Sequence, residues 1–312
     1  MSEPTPNWER EVLEKLALSA IQEQRRSRHW SILFKTLGFL YLFIVLFLVA
    51  GWFGSDGVSI KEHTALVDLQ GVIASDQASA DSVISSLQGA FKDKKTKGVI
   101  LRINSPGGSP VQAGQIYDEI RRLRALHPKT PLYAVVDDIC ASGGYYVAAG
   151  ADEIYVDKAS IVGSIGVLMD GFGFTQTMQK LGVERRLLTA GENKGFLDPF
   201  SPVDPRQAAF AKQMLEEIHA QFIGVVREGR GKRLQETPEM FSGLVWSGEK
   251  SIQLGLADAL GNVESVARDV IKAEDIVDYT QREGLAQSLA GRLGASVAKA
   301  LMAFEQAGVR LR

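Results

Sequence analysis

A short apolar run that leads into a serine and two glycines constrains the fold of this chain more than any other stretch. Leu132–Val136 is apolar and rich in strand-forming residues, and residues 137–150 then read D-D-I-C-A-S-G-G-Y-Y-V-A-A-G. This pattern predicts a buried strand that ends in a sharp turn and passes directly into a helix. The turn lifts Ser142 clear of the sheet, and the first backbone N–H groups of the helix have no acceptor within it. Gly143 and Gly144 leave room for an approaching peptide backbone.

Such a turn meets the requirements of a nucleophilic serine beside an oxyanion hole. An ordinary N-cap serine followed by two packing glycines produces the same letters. The stretch taken alone therefore leaves both interpretations open.

The rest of the body alternates strands and helices, which predicts a layered α/β domain with right-handed crossovers. We expect strands at 64–73, 98–103, 132–136, 153–156 and 184–189, helices at 79–91, 174–181 and 204–229, and an irregular loop at 190–202. The strand at 98–103 is followed by a second glycine pair, in N-S-P-G-G-S at 104–109. Because the carboxyl ends of parallel strands face the same way, this turn and the Ser142 turn should converge.

An uncharged apolar stretch near the N-terminus, Thr36–Ser55, is long enough to span a bilayer once Ile32–Phe34 is added. Basic residues precede it, which places the N-terminus in the cytoplasm and the residues after about 56 on the other side of the membrane. A cleaved signal peptide is the alternative. The long region before the span and the poor cleavage site at Val49–Gly51 favour an uncleaved anchor, and Trp30 and Trp52 lie where interface anchors belong.

The composition excludes several classes of protein. A net charge of −2 over 312 residues gives no reason to expect nucleic acid binding. Cys140 is the single cysteine, so an intrachain disulfide or a cysteine metal cluster is impossible, and we expect its side chain to be a small core residue. We expect no cofactor and no metal.

The base that would activate Ser142 is less obvious from the sequence. None of the four histidines, at positions 29, 63, 127 and 219, lies in a glycine-rich or irregular turn, so a Ser-His-Asp triad is left without support. A lysine amine is a second route, because burial away from carboxylates favours its neutral, basic form. Lys194 is the candidate, since its loop reads G-E-N-K-G-F-L-D-P-F. The V-G-S-I-G sequence at 162–166 imitates a nucleophile elbow, but Ser164 is the better candidate for a hydroxyl partner than for a nucleophile.

These pieces together resemble the signal peptide peptidase A family of membrane-bound serine proteases, in its short, single-repeat form. The resemblance covers about residues 60–275 and rests on the N-terminal anchor and four motifs: I-N-S-P-G-G-S at 103–109, A-S-G-G-Y-Y-V-A at 141–148, S-I-V-G-S-I-G-V at 160–167 and G-E-N-K at 191–194. The first motif alone is shared with Clp-type proteases. The pattern of strands and glycines is shared with crotonase-fold acyl-CoA enzymes.

The resemblance implies an α/β fold of the crotonase/Clp protease-like ββα superhelix type, with an N-terminal transmembrane helix. It also implies that Ser142 is the nucleophile, Lys194 the general base, Gly108 and Gly143 the donors of the oxyanion hole, and Ser164 the residue that orients the lysine. Whether Ser142 and Lys194 meet within one chain or across a subunit interface stays open. The implied partners are peptide substrates (remnant signal peptides and unfolded hydrophobic segments), the lipid bilayer through residues 32–54, and further copies of the chain in a ring or dome.

The expected domains are a cytoplasmic tail (1–31), a transmembrane anchor (32–54), a Ser/Lys peptidase domain (55–275) outside the bacterial inner membrane, and a helical C-terminal tail (276–312). Two alternatives are a related membrane-anchored peptidase that acts on other membrane or unfolded proteins, and an acyl-CoA enzyme of the crotonase fold. The second predicts catalytic carboxylates near the glycine turns, and both the anchor and Lys194 argue against it.

Overall fold

The computed structural model describes residues 7–49 and 61–281. Asn7–Val49 forms one continuous helix, α1, and Ser59–Arg282 groups into a separate compact unit. Within α1, Glu23–Leu46 is long and apolar enough to cross a membrane, by length and composition. This segment is consistent with a transmembrane anchor. Trp52 and residues 50 and 51 of the possible signal-peptide cleavage site lie outside the described residues.

The compact unit alternates strands and helices. Its strands are β1 (His63–Gln70), β2 (Thr96–Ser105), β3 (Leu132–Ala141), β4 (Glu153–Val156), β5 (Ile161–Gly163), β6 (Val245–Ser247), β7 (Ala259–Leu260) and β8 (Ile276–Asp278). Its helices are α2 (Ala80–Lys92), α3 (Pro110–Leu126), α4 (Gly143–Ala148), α5 (Thr175–Lys180), α6 (Pro205–Arg230), α7 (Gly248–Gln253) and α8 (Val263–Ser265), which continues as a π-helical segment over Val266–Ile271.

The strands form one mixed sheet in the order β6-β5-β3-β2-β1-β8, with β4 and β7 attached as a branch beside β3. All pairings are parallel except that of β5 with β6. The long strand β3 has two partners on one side: Tyr133–Val135 pairs with β4, and Ile139–Ala141 pairs with β5. This is the layered α/β architecture that the sequence predicted.

Helices α2 and α3 cover one face of the sheet because their apolar side chains recur at helical spacing. Val83, Leu87 and Phe91 of α2 are buried there. Both helices begin at a serine N-cap, Ser79 and Ser109, whose hydroxyl accepts a backbone hydrogen bond. Each fully buried Leu or Ile contributes about 1.5–3 kcal/mol to the free energy of unfolding. The residues Val263–Ile271 cover the other face of the sheet.

Most of the expected elements are present, but the expected strand at 184–189 is wrong. In the described part of the chain no strand pairs with this segment, and Leu188 is 96% exposed. A segment forms a strand only where a neighbouring strand pairs with its backbone N–H and C=O groups. Glu184 and Arg186 instead pair with each other at the surface.

The sheet of the compact unit continues past residue 275. The sheet includes Ile276–Asp278, which follows directly after the expected end of the catalytic domain at 275. The expected helical tail lies almost entirely in residues 282–312, outside the described residues, and stays a prediction.

Candidate active site

Ser142 lies in a strained turn between β3 and α4. Its φ of 52° and ψ of −124° lie in a backbone region that residues other than glycine rarely adopt. Such a conformation costs about 1–3 kcal/mol. Two backbone hydrogen bonds fix this conformation: the Ser142 N–H donates to the Gly163 carbonyl at 2.8 Å, and the Tyr146 N–H donates to the Ser142 carbonyl at 2.9 Å. The hydroxyl does not cap α4, as an ordinary N-cap serine would.

The two glycine turns meet, as expected. A methyl group at Gly107 would lie 2.7 Å from the Gly143 nitrogen and 2.7 Å from the Ser142 Cβ atom. The φ of Gly107 is 101°, in the region that favours glycine. The segment after β1 holds this turn in place, because Ile73 donates to the Gly107 carbonyl and accepts from the Ser109 N–H, both at 2.8 Å.

The backbone N–H groups of Gly108 and Gly143 are neighbours at this junction. A Cβ atom at Gly143 would lie 3.3 Å from the Gly108 nitrogen. Within residues 61–281, neither N–H donates a hydrogen bond to another group of the protein. Two adjacent unpaired N–H groups beside a free hydroxyl can stabilise the negative oxygen of a tetrahedral intermediate.

Ser164 lies at the end of β5 in a second strained turn. Its φ is 53°, and its N–H donates to the Leu244 carbonyl at 2.7 Å. The Ser164 side chain is half-buried and lines the same cavity as Ser142. The structure therefore brings four of the five expected site residues together.

The cavity has a volume of about 560 Å³. Its walls come from the two glycine turns, from the start of α3, from the segment after β5 and from α6: Gly108, Pro110, Ala113, Ser142, Gly143, Tyr146, Ser164, Gly166, Val167, Leu168, Ile218, Gln221, Phe222, Ser242 and Gly243. Tyr146 and Phe222 pack with ring centroids 5.1 Å apart, which makes part of the lining apolar. A cavity of this kind accepts an apolar group of a ligand.

Lys194 does not line this cavity. Its side chain is exposed in the long connection between α5 and α6. The neighbouring residues Glu192, Asn193 and Phe196 line a different cavity of about 480 Å³. Within one protomer, Lys194 therefore lies outside the lining of the cavity that Ser142, Gly143, Gly108 and Ser164 share.

In a comparison with known protein families, two family models match this chain. The Clp protease model matches residues 62–161, and the peptidase family S49 model matches residues 124–277. A relative from Methanocaldococcus jannaschii, named as protease MJ0651, is 31% identical over 251 residues, which are 77% of this chain and 80% of that protein. The chain belongs to peptidase family S49. The matches support the SppA family in its short form and a Clp protease-like α/β fold, so the expected resemblance and fold class are confirmed.

Two other relatives of this S49 peptidase carry different names. A protein from Enterococcus faecium named as signal peptide peptidase SppA is 28% identical over 234 residues, which are 72% of this chain and 67% of that protein. The Na(+)/H(+) antiporter NhaA of Brucella melitensis is 44% identical over 216 residues, which are 67% of this chain. Those residues are 29% of the antiporter, so the chain spans less than a third of that relative's length.

Helix α4, which begins at the Ser142 turn, is held by a buried hydrogen bond from Tyr145 that the sequence analysis did not predict. The buried Tyr145 hydroxyl donates to the Leu256 carbonyl at 2.7 Å, and burial raises the pKa of Tyr145. Arg230, 1% exposed, donates to both carboxylate oxygens of Asp258 and to the Gly255 carbonyl. These bonds join α6 to the segment that holds Tyr145. The sequence around Tyr145 and Arg230 does not indicate that they bind Leu256 and Asp258, because each pair of partners is distant in sequence.

Helix α6 is the second feature of the S49 peptidase that the sequence left unassigned. Ile218, Gln221 and Phe222 line the cavity, although the sequence showed only a long amphipathic helix. His219 of the same helix lies behind the wall, with its Nε2 atom 3.1 Å from the Ile165 carbonyl oxygen. None of the described histidines lines the cavity. Cys140 is fully buried, and burial raises the pKa of its thiol, so the expected core position is confirmed.

Proposed function

We propose that this S49 peptidase is a membrane-anchored endopeptidase that degrades remnant signal peptides and unfolded hydrophobic segments. Ser142 is the nucleophile, and Lys194 is the general base. The observation that carries the proposal is the strained Ser142 turn beside the unpaired N–H groups of Gly108 and Gly143. Such an arrangement stabilises the charge that develops on the carbonyl oxygen during acyl transfer.

The chemical steps follow from these groups. The neutral Lys194 amine takes the proton of the Ser142 hydroxyl as the Oγ atom attacks the carbonyl carbon of the scissile bond. The N–H groups of Gly108 and Gly143 stabilise the resulting oxyanion. The C–N bond then breaks, and the lysine gives its proton to the leaving amine. Water, activated by the same lysine, hydrolyses the acyl-enzyme and releases Ser142.

The position of Lys194 favours a dyad that is completed between subunits. A lysine is a base only in its neutral form, and removal from water favours that form. The exposed side chain of Lys194 in one protomer gains such an environment by entering the Ser142 cavity of a neighbouring copy, where the Ser164 hydroxyl is available to orient the amine. An assembly of several copies, in a ring or dome, would supply this contact at each interface.

The anchor supports a location at the bilayer. The apolar part of α1 and the charge bias around it favour a cytoplasmic N-terminus and a catalytic domain on the outer side of the inner membrane. Such a position gives the site access to signal peptides as they leave the membrane. The substrates, the assembly and the orientation are parts of the proposal.

A complementation experiment tests the dyad and its subunit origin together. Full-length Ser142→Ala and Lys194→Ala are each expected to hydrolyse a synthetic signal peptide at a rate reduced by at least about 10³-fold. Co-assembly of the two variants should restore part of the activity if the dyad forms between subunits, because a Lys194→Ala subunit then receives a lysine from its neighbour.

The outcomes separate the possibilities. Two inactive variants whose mixture stays inactive would place the dyad within one chain. Parental activity of Lys194→Ala would remove the lysine from the mechanism. Lys180→Ala, which changes another exposed lysine of the same region, is the matched control and should keep parental activity.

A further inference from the structure

One edge of the sheet is open beside the active site. Strand β6 is the terminal strand, and within residues 61–281 no strand lies on its outer side. Leu244 is 52% and Val245 is 50% exposed. The residues 242–247 read S-G-L-V-W-S and carry no charge.

The register of β5 and β6 shows which backbone groups point outward. Opposite residues in an antiparallel ladder alternate between hydrogen-bonded and non-bonded pairs. Ser164 and Leu244 form a bonded pair, so Val162 and Trp246 form the next one. The N–H and C=O groups of Val245, which lies between Leu244 and Trp246, therefore point away from β5. The carbonyl of Gly163, opposite Val245, likewise points away from β6 and accepts from the N–H of Ser142, directly after β3.

This edge continues the active-site cavity. Ser242 and Gly243 line the cavity, and Val245 follows two residues later. An extended chain advances about 3.3 Å per residue, so Val245 lies only about 7 Å along the strand from the cavity wall. A polypeptide bound at Ser142 therefore passes within reach of the outward groups of Val245.

The opposite edge of the sheet is built differently. Strand β8 carries Asp278, and Glu274 and Asp275 directly precede it. Charges on an edge strand prevent the pairing of another chain. The uncharged β6 edge lacks this protection, and its short length limits pairing to a few residues, which suits a transient substrate.

We propose that the outer edge of β6 is an exosite that binds an extended, uncharged segment of the substrate by adding it as a strand. The Val245 N–H donates to a substrate carbonyl, and the Val245 carbonyl accepts from a substrate N–H. Leu244 and Val245 offer apolar contact to the same segment. This inference rests on the proposed function, since the occupant is the polypeptide that Ser142 cleaves.

The first test removes the outward donor. Val245→Pro deletes this N–H without removing a hydrogen bond of the β5–β6 ladder, and proline is tolerated in edge strands at such positions. The readout is the ratio of kcat/KM for an unfolded polypeptide to kcat/KM for a chromogenic single-residue ester, which is too short to reach β6. The loss of one backbone hydrogen bond should lower this ratio about three- to tenfold. Val245→Thr keeps the N–H and should keep the ratio.

The second test uses the unaltered full-length protein, so it stands even if Val245→Pro fails to fold. A synthetic hydrophobic peptide is methylated on one backbone nitrogen at a time. Methylation at a residue outside the cavity should reduce kcat/KM at one position, where the N–H meets the Val245 carbonyl, and leave the next position unaffected because strand hydrogen bonds alternate.

Three results would overturn the exosite. One is an unchanged ratio in Val245→Pro, and another is equal sensitivity to methylation at every position. The third is a change in subunit number for Val245→Pro, measured by light scattering, which would show that β6 pairs with a second copy instead. Failure of the proposed catalytic residues would appear as ester hydrolysis by Ser142→Ala, an outcome independent of this ratio.

Discussion

Replacement of Gly107 by alanine tests whether the contact between the two glycine turns sets the geometry of catalysis. The new methyl group would lie 2.7 Å from the Gly143 nitrogen and 2.7 Å from the Ser142 Cβ atom. Ordinary contacts of a Cβ atom begin near 3.4 Å, so the turns must separate by about 0.7 Å. The φ of 101° adds strain of about 1–3 kcal/mol for a residue with a side chain.

The separation should affect catalysis more than folding. It moves Ser142 and the donor Gly143 away from the donor Gly108, and a misplacement approaching 1 Å or the loss of one oxyanion donor reduces kcat about 10²-fold or more. This corresponds to about 2.7 kcal/mol of lost transition-state stabilisation. The free energy of unfolding should fall by about 1–3 kcal/mol, which a domain of this size can withstand.

The assay combines hydrolysis of a chromogenic ester with urea denaturation of the full-length protein. Gly114→Ala is the matched control, because a methyl group there meets no atom within 4 Å and alanine is the better helix former in α3. The control should keep kcat and raise the free energy of unfolding by about 0.5–1 kcal/mol. A folded Gly107→Ala protein with kcat within threefold of the parent would refute the claim that the Gly107 contact holds the site together.

Two further predictions concern the buried pair below the Ser142 helix. Arg230→Met should lower the free energy of unfolding by about 3 kcal/mol in urea denaturation, because it removes two hydrogen bonds to the Asp258 carboxylate and leaves that carboxylate with Arg233 and the Ile154 N–H. Arg227→Met, which breaks an exposed pair in the same helix, should cost at most about 1 kcal/mol, and equal losses would contradict this account. Burial raises the pKa of Asp258, but the hydrogen bonds and charge of Arg230 outweigh burial and leave that pKa below its usual value. Its contribution to stability is therefore present above about pH 4 and is lost as the pH falls through the lower folded-state pKa. Asp258→Asn should show a shallower loss of unfolding free energy below about pH 4, and an unaltered slope would exclude the carboxylate as its source.

The extent to which the sequence predicted this structure depends on how local each feature is. The strands that end at Ser105 and Ala141 and the glycine turns after them were readable, because apolar runs and turn residues act within a few positions. The meeting of these turns followed from the parallel sheet. The expected strand at 184–189 failed because pairing depends on a neighbour that local letters do not specify.

In the candidate site, too, the residues in local motifs were predictable and those placed by long-range packing were not. Ser142, Gly143, Gly108 and Ser164 were predictable because each lies at a strand end marked by its own motif. The contributions of Phe222, Tyr145 and Arg230 were not, since long-range packing decides which face of α6 meets which helix. The separation of Lys194 from the cavity within one protomer also could not be read from its loop.

The connection from Gly166 to Phe210 contains no buried residue, although it makes up a large part of the compact unit. Ordering a residue costs about 1–2 kcal/mol of conformational entropy, and this segment recovers little of that cost by burial within its own protomer. The proposed general base Lys194 lies in this segment, so a shortened or altered segment should change what the Ser142 cavity receives from a neighbouring copy far more than it changes the free energy of unfolding.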